Sequence, residues 1–133
     1  MKQYLIDTNI VLRYLLADVK KQADEAKQRI GRAKKGKICL RLTTEVMVET
    51  VYVLEKIYRV PREKIADLLQ SFVKFKYIEV EKRKVLIEAF ERYRITGYDL
   101  VDLLLYVQAR QEGNKVEVWS FDKDFKKIRK IAR

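Results

Sequence analysis

Tyr4-Leu5-Ile6-Asp7-Thr8-Asn9 sets three apolar residues directly before three short polar ones. The apolar half reads as a short buried strand. The polar half reads as the cap of a helix, because Asp, Thr and Asn side chains accept hydrogen bonds from the free amides at a helix N-terminus. The same alternation of short apolar runs with helical spacing continues along the chain. Apolar positions run on from Ile10 to Leu16, and Lys20 to Lys35 is a charged helix that keeps Ala23, Ala26, Ile30 and Ala33 on one side before Gly36 ends it.

Lys37 to Leu40 is a second strand, and Thr43 or Thr44 caps an apolar helix through Val46, Val53, Leu54 and Ile57. Pro61 suits the first turn of a helix whose buried stripe is Ile65, Leu68, Leu69, Phe72 and Val73. Tyr77 to Val80 forms a third strand. Lys82 to Arg94 is amphipathic through Val85, Leu86, Ala89, Phe90 and Tyr93, and beyond Gly97 a very apolar helix opens at Asp99 and stops at Gly113-Asn114. Val116 to Trp119 reads as a fourth strand, and Lys123 to Ile131 as a basic helix with room for a last edge strand at the terminus. Short strands alternating with helices predict a doubly wound α/β fold: one three-layer α/β/α domain over residues 1–133 with a central parallel sheet of four or five strands. In such sheets ligands gather beyond the carboxyl ends of the strands, where Asp7 and Asp122 would both sit.

Composition narrows the chemistry. Histidine is absent and Cys39 is alone, which removes zinc fingers, Ser-His-Asp triads, Cys-His proteases and internal disulfides. Cys39 itself reads as a small buried hydrophobe between Ile38 and Leu40. The glycines at 31, 36, 97 and 113 form neither a dinucleotide fingerprint nor a P-loop. No stretch has the length of a membrane span and the start lacks a secretory signal, so a soluble cytoplasmic protein with no membrane partner is expected. The net charge of +11 favours an anionic partner, nucleic acid above all. The end of the chain concentrates it, with Lys123, Lys126, Lys127, Arg129, Lys130 and Arg133 against Asp122 and Asp124.

Carboxylates are then the informative residues, since ionised acids avoid apolar surroundings unless something offsets their desolvation. Glu49 is the only charge between Val46 and Leu54, and Asp102 the only charge between Leu100 and Val107, so both are expected on largely buried helices. Each acid has a structural alternative: Asp7 as a helix cap, Glu49 as a partner of Lys56 or Arg13, Asp102 as an extension of the Asp99 cap, and Asp122 as the cap of the final helix. Two acids at strand exits and two on apolar helices nevertheless suggest one cluster, and oxygen ligands without His or Cys suit Mg²⁺ or Mn²⁺.

These residues resemble the PIN-domain family, and within it the VapC-type toxins. The resemblance rests on Leu5-Ile6-Asp7-Thr8-Asn9, Val48-Glu49-Thr50-Val51-Tyr52-Val53-Leu54, Asp99-Leu100-Val101-Asp102-Leu103-Leu104 and Ser120-Phe121-Asp122-Lys123-Asp124-Phe125, in the family's order and across almost the whole chain. It implies that Asp7, Glu49, Asp102 and Asp122 form a catalytic, metal-holding quartet supported by Thr8, Asn9 and Ser120, the last standing where the family often has threonine. Glu45, Asp99 and Asp124 are alternates to their neighbours, and Arg13 is a candidate phosphate contact, against an ion pair with Glu49 or Glu45. The implied activity is that of a metal-dependent endoribonuclease, the toxin of a type II toxin-antitoxin pair, with a small antitoxin, RNA and a second copy of the chain as partners. Other readings are an RNA-processing nuclease without an antitoxin, a nuclease that attacks DNA, and a basic nucleic-acid-binding module without catalysis. Tyr52, Tyr58, Phe75 and Tyr106 read as core aromatics that could alternatively stack on bases or form an interface.

Overall fold

A computed structural model describes residues 1–131; the side chains of Asp124 and of residues 129–131 lie outside the description. The elements follow in the order β1 (Gln3–Leu5), α1 (Thr8–Leu16), α2 (Lys20–Lys34), β2 (Cys39–Leu42), α3 (Thr44–Lys56), α4 (Arg62–Lys74), β3 (Ile78–Val80), α5 (Arg83–Ile95), α6 (Leu100–Glu112) and α7 (Asp124–Ile131). The strands form a parallel sheet in the order β1-β2-β3, with Tyr4 opposite Leu40 and Leu40 opposite Ile78. Each strand-to-strand connection carries two helices, long enough for the crossover that parallel pairing requires.

The α/β class and the parallel sheet agree with the sequence reading, but the sheet has three strands among the described residues, not four or five. Val116 to Trp119 alternates apolar and polar residues as a strand should, yet it pairs with nothing in the sheet. Strand propensity mostly expresses packing against a neighbouring strand and cannot supply one by itself. The edge strand suggested for the terminus falls at the limit of the described residues: 124–131 are helical, and 132–133 lie outside the description.

Helix placement follows the apolar spacing closely in two cases. Ala23, Ala26, Ile30 and Ala33 are the buried residues of α2, and Val85, Leu86, Ala89, Phe90 and Tyr93 are those of α5. On α3 the buried face is Met47, Thr50, Val51 and Leu54, while Val46 and Val53 are half-buried and Ile57 is exposed. Leu68 likewise sits at the margin of the α4 stripe. α1 packs on α2, α4 on α5, and α5 on α6, while α3 lies against α1, α4 and α6 and so joins the two helical groups. A continuous core runs from Ile6 through Leu42, Leu69 and Phe90 to Phe125 and Ile128. No helix among the described residues is long and apolar enough to cross a membrane.

Candidate active site

Because the strands are parallel, their carboxyl ends share one edge of the sheet, and that edge is polar. Asp7 follows β1 and caps α1, its Oδ1 accepting a hydrogen bond from the Ile10 amide at 3.0 Å. Thr43 follows β2 and caps α3, its hydroxyl accepting from the Val46 amide. Glu81 follows β3 and accepts from the Thr44 amide at 3.2 Å. Thr44 holds the Glu81 carboxyl below its ordinary range, and its amide makes the well-formed hydrogen bond. Glu81 was not among the acids singled out from sequence. Its signal was nonetheless there, since it follows an apolar strand much as Asp7 does.

Asp7 borders a cleft of ≈ 360 Å³ between β1 and the α1–α2 pair, together with Asn9, Ile10 and Arg13. Thr8 is buried, and Asn9 is exposed at the cleft. Arg13 does not reach Glu45 or Glu49: its Nη1 donates to both oxygens of Asp18 at 2.6 Å and its Nη2 to the Tyr58 hydroxyl at 3.1 Å. Those bonds, Tyr58 foremost, raise the pKa of a guanidinium that is charged in any case. This pairing was hidden in the sequence because it spans the end of α1. Ala17 turns into the left-handed region at φ 51° and brings Asp18 back against the helix.

Glu49 is exposed, contrary to the expectation of burial, and so is Glu45 one turn before it. The apolar run from Val46 to Leu54 wraps around α3, and Glu49 falls beside Glu45, Val48 and Tyr52 on its open side. Asp102 is half-buried in the first turn of α6, while Asp99, at the cap position of that helix, makes no side-chain capping bond. Asp122 is exposed and follows the unpaired 116–121 segment, so it does not leave a strand. The Ser120 hydroxyl accepts a hydrogen bond from the Asp122 amide at 3.0 Å and fixes the turn between them. Of the aromatics, Tyr52 and Tyr58 are exposed, while Phe75 and Tyr106 pack against the core.

The donors available at these positions are oxygens, the kind a hard divalent cation takes. Glu49 on α3 and Asp102 on α6 lie on adjoining helices, and α3 also contacts α1, which Asp7 caps. Among the described residues, however, no three acidic or cysteine side chains come close enough together to hold a metal ion.

The family described as the PIN domain matches residues 4–131. This chain belongs to the PIN-domain family. A VapC ribonuclease of Aquifex aeolicus (strain VF5) is 31% identical to this PIN domain over 124 residues, covering 93% of this chain and 90% of that protein. No solved structure matches this PIN domain. The match spans Asp7, Glu49, Asp102 and Asp122 alike, so the likeness covers the carboxyl edge of the sheet and the chain's basic helix α7 together.

Proposed function

We propose that this PIN domain is an endoribonuclease dependent on Mg²⁺ or Mn²⁺ and the toxin of a type II toxin-antitoxin pair. The observation that carries the reading is the likeness to a VapC ribonuclease over nearly the full length of both chains. Asp7, Glu49, Asp102 and Asp122 are the residues that would hold the cation. A bound divalent cation supplies neutralisation of the phosphate and of the negative charge that develops as the bond breaks. The chain's own part is to place the phosphodiester. Its +11 charge draws the RNA backbone in. Ser120 fixes the backbone at Asp122, Thr8 and Asn9 shape the start of α1, and Arg13, anchored by Asp18 and Tyr58, keeps its Nε–H for a phosphate oxygen. Glu45, Asp99 and Asp124 stand as substitutes for their neighbours in the quartet.

The test is cleavage of structured and single-stranded RNAs by purified protein in Mg²⁺, Mn²⁺ or EDTA, beside a folded Asp7→Asn plus Asp102→Asn variant. Metal-dependent cleavage is expected, with a loss on the order of a hundredfold or more in the variant. Mn²⁺ should raise the melting temperature of the parent and not of the variant, because a ligand that binds only the folded state stabilises it. Absence of both effects would overturn the catalytic reading. The toxin reading further expects co-purification with a small antitoxin and a homodimer in sizing experiments; a solitary active nuclease would point to RNA processing instead.

A further inference from the structure

Trp119 and Phe121 are 89% and 94% exposed, the most open large aromatic side chains of the described residues. Their rings meet edge to face, with centroids 6.2 Å apart and planes at 64°, so the pair holds its own geometry while leaving its outer faces to solvent. Single exposed apolar residues are ordinary, but two large aromatics side by side are costly to hydrate and call for an occupant. Charge identifies one. Lys115 lies just before the pair, and Lys123, Lys126 and Lys127 just after it, all exposed, and they outnumber the exposed acids Glu117 and Asp122 of the same stretch. α7 turns Phe125 and Ile128 into the core and leaves Lys126 and Lys127 outward. A second copy of the chain would bring this basic surface against itself, whereas a polyanion with flat bases satisfies both the rings and the lysines.

We propose that Trp119 and Phe121 form a stacking platform for unpaired bases of single-stranded RNA, with Lys123, Lys126 and Lys127 holding the adjoining phosphates. Aromatic rings beside cations are the physical requirement for binding single strands, since every base offers a flat face while a duplex hides its own. The platform has a set relation to the cleavage site. Phe121 immediately precedes Asp122, and the Ser120 hydroxyl fixes the backbone at that point, so a base stacked there sets the neighbouring phosphate beside Asp122. The platform rests on the nuclease reading for its purpose, though not for its binding.

Trp119 is the sole tryptophan, so its fluorescence reports on this site alone. The experiment titrates the protein in EDTA with a short single-stranded oligouridylate and with a duplex RNA of equal length. Labelled-RNA anisotropy is measured in parallel for Trp119→Ala, Phe121→Ala and Lys126→Ala plus Lys127→Ala, after circular dichroism confirms that each is folded. Quenching by the single strand and not by the duplex is expected, with about tenfold weaker binding for each aromatic variant. The lysine pair should lower the slope of log affinity against log salt by about 1.4. Binding without quenching, or unchanged affinity in both aromatic variants, overturns the platform. So does a shift in oligomeric state with unchanged RNA affinity, which would assign the rings to a protein interface. Quenching by a protein that cleaves no RNA with any metal would leave the platform standing and remove the nuclease; cleavage with the aromatic variants unaltered in affinity and KM would do the reverse.

Discussion

Glu88 and Glu49 are both glutamates in the middle of 13-residue helices, α5 and α3, and their surroundings are opposite. Glu88 is three-quarters buried and held by Arg92 at 3.1 Å and by Arg110. Its neighbourhood is saturated in the same way: Glu55 bonds the Tyr93 hydroxyl, Arg62 lies 3.7 Å over the Tyr93 ring and donates to the Tyr98 carbonyl, and Arg94 joins Asp67 and Gln70. Glu49 is exposed, and among the described residues neither it nor Glu45 nor Asp7 has a basic partner. In a chain with 30 Lys and Arg against 19 Asp and Glu, cations are plentiful. The two glutamates thus occupy the same place in their helices and opposite surroundings, one held by guanidinium groups and one open to solvent.

The sharpest way to break that contrast is to neutralise an acid on each side. Glu49→Gln should reduce RNA cleavage on the order of a hundredfold while shifting stability by no more than about 0.5 kcal/mol; Glu45→Gln should leave both unchanged. Equal activity in the two variants would remove Glu49 from the site, and loss in Glu45→Gln alone would exchange their roles. Glu88→Gln should do the opposite, destabilising by about 1–3 kcal/mol in denaturant unfolding because two guanidinium bonds lose their charge, with cleavage per folded molecule preserved.

The same variant carries a pH signature. Desolvation pushes the Glu88 carboxyl up, but the bonds from Arg110 and Arg92 outweigh it and hold it below the ordinary range. The folded state therefore prefers the ionised form. That contribution is fully present above the unfolded value of about 4.3 and is lost as pH falls through the lower folded pKa. Unfolding titrations should show the parent losing stability across that acid window and Glu88→Gln losing less; parallel curves would mean that the pairing is only geometric.

The smallest expected effect separates the two duties of Asp7. Asp7→Ala removes the cap of α1 and should cost about 1 kcal/mol, whereas Asp7→Asn keeps an acceptor and should cost almost nothing. Both should lose cleavage. An Asn variant as unstable as the Ala variant would show that the charge, and not the hydrogen bond, sustains the helix start.

What could be read from sequence follows from the range of the interaction responsible. The buried faces of α2 and α5 were legible because repeats such as Ala23-Ala26-Ile30-Ala33 are local. The caps at Asp7 and Thr43 were legible for the same reason. The exposure of Glu49 was not, because a run of apolar letters does not say which third of the helix faces inward, and Thr50 rather than Val53 is fully buried. The bond between Tyr93 and Glu55 joins residues 38 apart, and nothing in either neighbourhood announces the other. Val116 to Trp119 carries the alternation of a strand, but pairing belongs to the partner as much as to the segment. The exposure of Trp119 and Phe121 was hidden for that reason.

The cap bond from Ile10 to Asp7 gives the site a spectator. That amide donates its proton to the carboxylate proposed to hold the cation, so whatever draws electron density from the carboxylate weakens the acceptor that the amide sees. A single backbone resonance, Ile10 N–H, would then track occupancy of the site in solution. Its hydrogen exchange would convert cation affinity into the local opening of one helical turn, with no substrate present.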